Sequence, residues 1–274
     1  MLRRQLSLAF VVVFIVLIGI RVDAISPAVV TSPFHYSFNV DGTLNEAGGS
    51  LESTSPYWWL NSGAKLILAS GTGKTAQGAL SFSDPWRLLY LAENPIDTDS
   101  GYHPQNIFRL VTRSKWKNFA ETAYFKINKD QLSSSPNRDA HNGLLLMSRY
   151  QNGNNLYYAG IRVDGKAIIK KKLNGQYYTL AEKKIFSGTY NRVSKPSLLP
   201  KNTWIGLKSY VTTIGSKVNI KLYMDQGKTG VWTLILEAND AGQYGSLIIN
   251  AGYAGIRTDF MDVEFDDFSI IESL

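Results

Sequence analysis

The stretch "NLYYAGIRVDGKAIIKKKLNGQYYTLAEKKIF", Asn155–Phe186, decides the fold. It holds three runs of eight to eleven residues rich in Tyr, Ile and Lys, separated by Asp164-Gly165 and Asn174-Gly175. Asp-Gly and Asn-Gly between such runs are the strongest short-range signals for β-hairpins. The stretch therefore reads as a three-stranded antiparallel meander. If both dipeptides are simple two-residue turns, counting outward pairs Val163 with Lys166 and Leu173 with Gln176. Lys171 then lies between Tyr158 and Tyr178, in a row that crosses all three strands. Arg162 shares that face, two positions beyond Gly160, and a glycine in a strand leaves room for close approach. The opposite face carries Tyr157, Lys172 and Tyr177 with Ala159, Ile161, Val163 and Ile168. A slip of one residue would exchange the two faces.

The same pattern extends along the chain. Asp41-Gly42, Asn142-Gly143 and Asn152-Gly153 cut further apolar and aromatic runs, and no amphipathic helical period stands out after residue 24. The expected fold is all-β, a two-sheet antiparallel jelly-roll sandwich. No Pro/Ser-rich linker or change of composition divides it. We read residues 25–33 as a short linker and 34–274 as one domain.

Composition narrows the chemistry. The chain has 274 residues, 44% of them hydrophobic, which suffices for a sizeable core. It has no cysteine, which excludes disulfides, thiolate metal sites and thiol nucleophiles, and its three histidines lie far apart in sequence. Arg3 and Arg4 precede an uncharged apolar run of 16 residues, Gln5–Ile20, shorter than the about 20 a membrane-spanning helix needs. Val22-Asp23-Ala24 then offers small residues for a signal peptidase. Residues 1–24 read as a secretory signal peptide, and an uncleaved membrane anchor is the alternative. Either way the remainder is exported. Without residues 1–24 the chain keeps 26 basic against 21 acidic residues, a charge of +5.

One motif points elsewhere and fails. Gly71-Thr72-Gly73-Lys74-Thr75 resembles part of a phosphate-binding loop. The first glycine of that loop would fall at Leu68, and the residues after Thr75 show no helical period. The segment reads as a Gly-rich turn between strands.

The segments "GTLNEAGGS" and "YWWLNSGA", with the C-terminal "GYAGIRTDFMDVEFDDFSI" (Gly252–Ile270), resemble the concanavalin A-like lectin/glucanase superfamily. Laminin-G-like domains, glucanases and jelly-roll polysaccharide lyases belong to it. The resemblance implies a jelly roll and an extracellular carbohydrate ligand. It does not imply glycoside hydrolysis. The glucanase pattern Glu-x-Asp-x-x-Glu begins at Glu264 but has Ser269 where its second Glu should stand, and retaining hydrolysis needs two carboxylates about 5–5.5 Å apart. Asp266 and Asp267 are instead candidates for turn capping or for a structural calcium site.

Candidate ligand-binding residues follow from chemistry. A tyrosine ring offers an apolar face and a hydroxyl. Lys and Arg pair with carboxylate or sulfate. On this ground Tyr158, Arg162, Lys171 and Tyr178 are candidates on the meander, with Gln105 and Asn106 in the loop of "DTDSGYHPQNIFRLVTRSKW" (Asp97–Trp116). In that segment Arg109, Val111 and Arg113 alternate against Phe108, Leu110 and Thr112. Asp97-x-Asp99-x-Gly101 lacks the Glu of an EF-hand and reads as a turn. A uronate lyase would need a cation to neutralise the sugar carboxylate and a base and acid to move protons. His103, Arg109, Arg113 and Tyr158 are the candidates for that chemistry. The expectation is a secreted, lectin-like protein that binds an acidic polysaccharide, with a polysaccharide lyase as the alternative. No nucleic-acid partner is expected, because the chain is exported and only modestly basic. A membrane partner is expected only if the N-terminal segment is uncleaved.

Overall fold

A computed structural model describes residues 23–273. The signal-peptide assignment falls almost wholly on residues 1–22, outside the described residues. Residues 23–33 are irregular but lie against the body: Ile25 N donates to Ser53 O at 3.1 Å and Ala28 N to Pro56 O at 2.9 Å.

Sixteen strands follow: β1 (Phe34–Tyr36), β2 (Gly42–Asn45), β3 (Trp58–Ser62), β4 (Lys65–Ala69), β5 (Thr72–Lys74), β6 (Ile107–Trp116), β7 (Phe119–Asp130), β8 (Gly143–Asn152), β9 (Asn155–Arg162), β10 (Lys166–Leu173), β11 (Gln176–Lys184), β12 (Trp204–Ile214), β13 (Lys217–Gln226), β14 (Thr233–Asp240), β15 (Gly252–Asp259) and β16 (Met261–Glu272). They form two antiparallel sheets. One is nine-stranded in the order β14-β13-β12-β7-β16-β5-β4-β2, with β1 also paired to β16; the other is seven-stranded, β11-β10-β9-β8-β15-β6-β3. This is the two-sheet sandwich that the turn spacing and aromatic runs lead one to expect.

The core between the sheets follows from alternation. Leu144 and Leu146 of β8 and Ala159 and Ile161 of β9 point inward and are buried. They belong to one apolar cluster with Phe125 and Ile127 of β7 and Val263 and Phe265 of β16. Phe265 stacks on Phe108 at 5.2 Å, and Trp58 meets Phe268 edge-on at 4.7 Å.

The Gly-Thr-Gly-Lys-Thr motif joins two strands: Ser70 (φ 55°) and Gly71 (φ 73°) make the turn from β4, and Thr72–Lys74 form β5. A short helix does occur, α1 (Pro85–Glu93). Asp84 caps it through a bond from Trp86 N, and Pro85 opens it. Its run Trp-Arg-Leu-Leu-Tyr-Leu is apolar on more than one side, which hides the helical period; the Asp-Pro cap was the readable signal.

The meander forms, with one correction to its register. At Asn174-Gly175 both residues have positive φ (50° and 85°), and Leu173 pairs with Gln176 as counted. At Asp164-Gly165 only the glycine does (φ 79°), Gly165 N bonds to Arg162 O at 2.8 Å, and Ala167 pairs with Ile161. The loop there is three residues long, Val163–Gly165. Strand β10 is displaced by one residue against β9, so Tyr158 faces Lys170 and Tyr157 faces Lys171. Lys171 still faces Tyr178. The expected row Tyr158–Lys171–Tyr178 is therefore broken: Tyr158 stands on the outer face, while Lys171 and Tyr178 turn to the other side.

Candidate functional site

The outer face of the seven-stranded sheet, turned away from the core, carries a groove of about 570 Å³. Strand alternation supplies its floor. β9 contributes Tyr158, β10 Ile168 and Lys170, β11 Tyr177, and β15 Arg257 and Asp259. The loop that carries Asn137, Asp139 and His141 forms one wall.

Arg257 organises the floor. Its Nε donates to Asp259 Oδ1 at 2.8 Å and its Nη1 to the Tyr158 hydroxyl at 3.0 Å and the Tyr177 hydroxyl at 3.4 Å. The two tyrosine rings stack at 6.1 Å. Lys172 Nζ lies 4.7 Å, and Lys170 Nζ 5.8 Å, from the centre of the Tyr177 ring. Across the strand pair, Arg257 sits directly opposite Arg109. Like charges in that position repel.

These charges separate the two tyrosines. Burial pushes the Tyr158 hydroxyl above its ordinary value, and Arg257 offsets only part of that. Burial also acts on Tyr177, but there Arg257 and Lys172 outweigh it and hold the hydroxyl below its ordinary value. Burial lowers the Lys170 ammonium, and nearby Arg162 adds to the effect.

Of the residues singled out from sequence, Tyr158 lines the groove, and Arg109 and Arg162 stand on the same outer face beside it. Arg109 Nη1 donates to Asn61 Oδ1 at 2.6 Å, and its guanidinium lies 5.9 Å from the Tyr150 ring centre. Arg162 is outward but buried, held by Asp164 at 2.5 Å and by Glu182 at 3.4 Å. Lys171 is fully buried between the sheets, its Nζ 2.9 Å from Asp240 Oδ2, an oxygen that also accepts the Tyr157 hydroxyl at 2.7 Å. Tyr178 stacks on Tyr244 at 5.0 Å. Arg113 is buried and donates to the carbonyls of Ile25 and Ser55, both at 2.6 Å, so it clamps the N-terminal segment.

The loop candidates are structural as well. Gln105 is buried and donates to Gly78 O and Asp262 Oδ1. Asn106 is buried and donates to Asp97 O at 2.7 Å. His103 Nδ1 meets Asp99 Oδ2 at 2.9 Å, and Asp99 also accepts the Ser133 hydroxyl at 2.5 Å. Asp266 and Asp267 share the ammonium of Lys228, 2.9 Å from Asp267, so a cation from the chain already occupies the place proposed for calcium. Among the described residues no group of three or more His, Asp or Glu could hold a metal. Glu264 lies on the other sheet, where Lys126 at 2.8 Å and Asn128 at 3.0 Å hold its carboxyl low against burial.

Sequence reasoning missed Lys170, Tyr177, Arg257 and Asp259. For Lys170 and Tyr177 the cause is the one-residue error at the first turn. For the other two the signal was present: Tyr253, Gly255, Arg257 and Asp259 alternate along one strand, a polar face with a glycine in it.

No protein-family model matches this sequence, and no curated protein matches it. Solved structures do. The winged bean acidic lectin complexed with methyl-α-D-galactose is 10% identical with a TM-score of 0.50, over 87% of this chain and 97% of the lectin. The carbohydrate-binding module CBM66 of Bacillus subtilis is 17% identical with a TM-score of 0.42, over 61% of this chain and 82% of the module. A Bacillus licheniformis β-glucanase is 11% identical with a TM-score of 0.45, over 88% of this chain and 98% of the enzyme. At such identities a likeness defines the fold alone. The fold is a two-sheet antiparallel jelly-roll sandwich, like that of the winged bean lectin.

Proposed function

We propose that the protein is exported and binds an acidic polysaccharide in the groove on the outer face of its seven-stranded sheet. One observation carries the reading: Arg257 stands directly opposite Arg109, and among the described residues Asp259 is the one carboxylate paired with Arg257. Two arginines paired across adjacent strands give this face a positive charge that suits a carboxylate or sulfate. Tyr158 and Tyr177 supply ring surface and hydroxyls beside it. Residues 1–24 act as the export signal, and a membrane partner arises only if they stay attached. The test is retention on immobilised alginate, pectate, glucuronan and glycosaminoglycans, with a neutral glucan as control. Retention on an acidic polymer that falls about tenfold or more in Arg257→Ala supports the proposal. Equal retention on the neutral glucan, or an unaffected variant, overturns it.

A second reading has its own observation, the opposite shifts of Tyr177 and Tyr158. Two titrating groups pushed apart in one site suit a base and an acid. In a lyase, Tyr177 as phenolate takes the proton next to the uronate carboxylate, which Arg257 neutralises. The electron pair forms a carbon–carbon double bond as the β carbon–oxygen bond breaks, and Tyr158 protonates the leaving oxygen. Ultraviolet absorbance from unsaturated uronate ends, absent in Tyr177→Phe, distinguishes this from binding alone.

A further inference from the structure

The outer face of the seven-stranded sheet does not end at the groove. Toward its other edge, the interior strands β8 and β15 and the edge strand β3 bring Tyr150, Tyr253 and Trp59 into a triangle with ring centroids 6.2–6.5 Å apart. This cluster is no part of the main core, which lies on the opposite side of the sheet. It rests on buried Val111 and Met147, a separate apolar layer on the outer face. Tyr150 is buried, while Trp59 and Tyr253 are half-exposed. The Trp59 indole N–H donates to Ala47 O at 2.8 Å, so its polar edge is satisfied within the protein and the ring is fixed. Lys115 Nζ lies 5.2 Å from the centre of the Tyr253 ring.

Arg109 joins this triangle to the groove. It reaches Asn61 beside Trp59, lies near the Tyr150 ring, and stands across from Arg257. The strip from Tyr177 on β11 to Trp59 on β3 crosses every strand of the sheet, six inter-strand steps or about 29 Å. Aromatic rings stand at both ends, and cations recur along it at Lys170, Arg257, Arg109 and Lys115. A single sugar would use a fraction of that length.

We infer that Trp59, Tyr253 and Tyr150 form a second subsite, which stacks the apolar ring face of a sugar several units along the same acidic chain. The ligand is therefore an oligosaccharide lying across the strands, not one terminal sugar. The inference rests on the proposed use of the groove for an acidic polysaccharide.

The experiment is calorimetric titration of the protein with an acidic disaccharide, tetrasaccharide and octasaccharide from the polymer that retains it. Affinity is expected to rise with length, by roughly tenfold or more from the shortest to the longest. Trp59→Ala should remove that rise and leave disaccharide binding unchanged. Tyr253→Ala, at a half-exposed position, should act in the same direction and serves if the Trp59 variant does not fold. Affinity independent of length, or a rise that survives both substitutions, overturns the subsite while leaving the groove reading intact. If Arg257→Ala does not weaken even disaccharide binding, or no oligomer binds, the groove reading falls and the subsite with it.

Discussion

The two turns of the central meander have nearly the same sequence and opposite consequences. At Asn174-Gly175 both residues adopt left-handed conformations, the loop has two residues, and the strands meet as simple counting expects. At Asp164-Gly165 only the glycine does, and one more residue enters the loop. That residue decides which lysine meets water. With it, Lys171 enters the core to pair with Asp240, and Lys170 and Lys172 stand on the outer face beside Tyr177. A local choice of turn type thus sets both the interior ion pair and the composition of the groove.

The sharpest way to break this comparison is to treat neighbouring lysines alike. Lys171→Met leaves Asp240 buried with the Tyr157 hydroxyl and the Gly242 amide as its remaining partners. Removing one member of a buried pair costs about 3–5 kcal/mol. Lys170→Met, one residue away but on the outer face, should change stability by about 0.5 kcal/mol or less. Urea denaturation of the two variants checks this, and equal losses would contradict the displaced register.

The glycines separate the turns next. A Cβ at Gly165 would lie 2.6 Å from Phe186 O, whereas one at Gly175 would come no closer than 3.6 Å, to Asn154 Oδ1. Both have positive φ, so both alanine variants carry backbone strain of about 1 kcal/mol. Gly165→Ala adds a clash and should lose about 2–3 kcal/mol in all. Thermal or chemical melting ranks them, and a larger loss at Gly175 would reverse the assignment of turn types.

The interior buries a second charge-bearing group by another route. Among the described residues Glu121 has no cationic partner. The Ser148 hydroxyl donates to its Oε1 at 2.6 Å and Gly255 N to its Oε2 at 3.2 Å, and burial holds the carboxyl well above its ordinary value. The folded state therefore keeps a proton that the unfolded chain releases above its ordinary carboxylate range, near pH 4.3. Folding stability from this group is complete below that pH and declines as pH rises toward the folded-state value. Glu121→Gln should flatten that slope, as measured by urea midpoints across mildly acidic to neutral pH. An unchanged slope would show that Glu121 is ionised in the fold.

Much of the architecture was legible. Strand runs and X-Gly turns identify a two-sheet antiparallel sandwich because alternation and turn chemistry are local properties. The site was legible only in part. Tyr158 and Arg109 were readable because each lies on a strand whose own alternation places it. Lys171 and Tyr178 were misplaced because their face depends on loop length, and Asp-Gly serves both two- and three-residue loops. Arg113, Gln105 and Asn106 have the chemistry of ligand-binding residues. Their actual partners, the carbonyls of Ile25, Gly78 and Asp97, lie 9 to 88 positions away, and no spacing rule connects them. Arg257 lies on a readable strand, but the tyrosines it organises, Tyr158 and Tyr177, are 99 and 80 positions away, and no local pattern joins them.

The facing arginines set folding against binding. Arg109 and Arg257 repel, a loss of about 0.2–1 kcal/mol for directly opposed like charges. Added salt screens that repulsion, so the free protein should melt at a slightly higher temperature as salt rises. The same salt weakens capture of an acidic ligand. Arg109→Leu should reproduce the stabilisation, remove most of its salt dependence and reduce binding. A buffer chosen for the most heat-resistant preparation is therefore a poor one in which to look for the ligand.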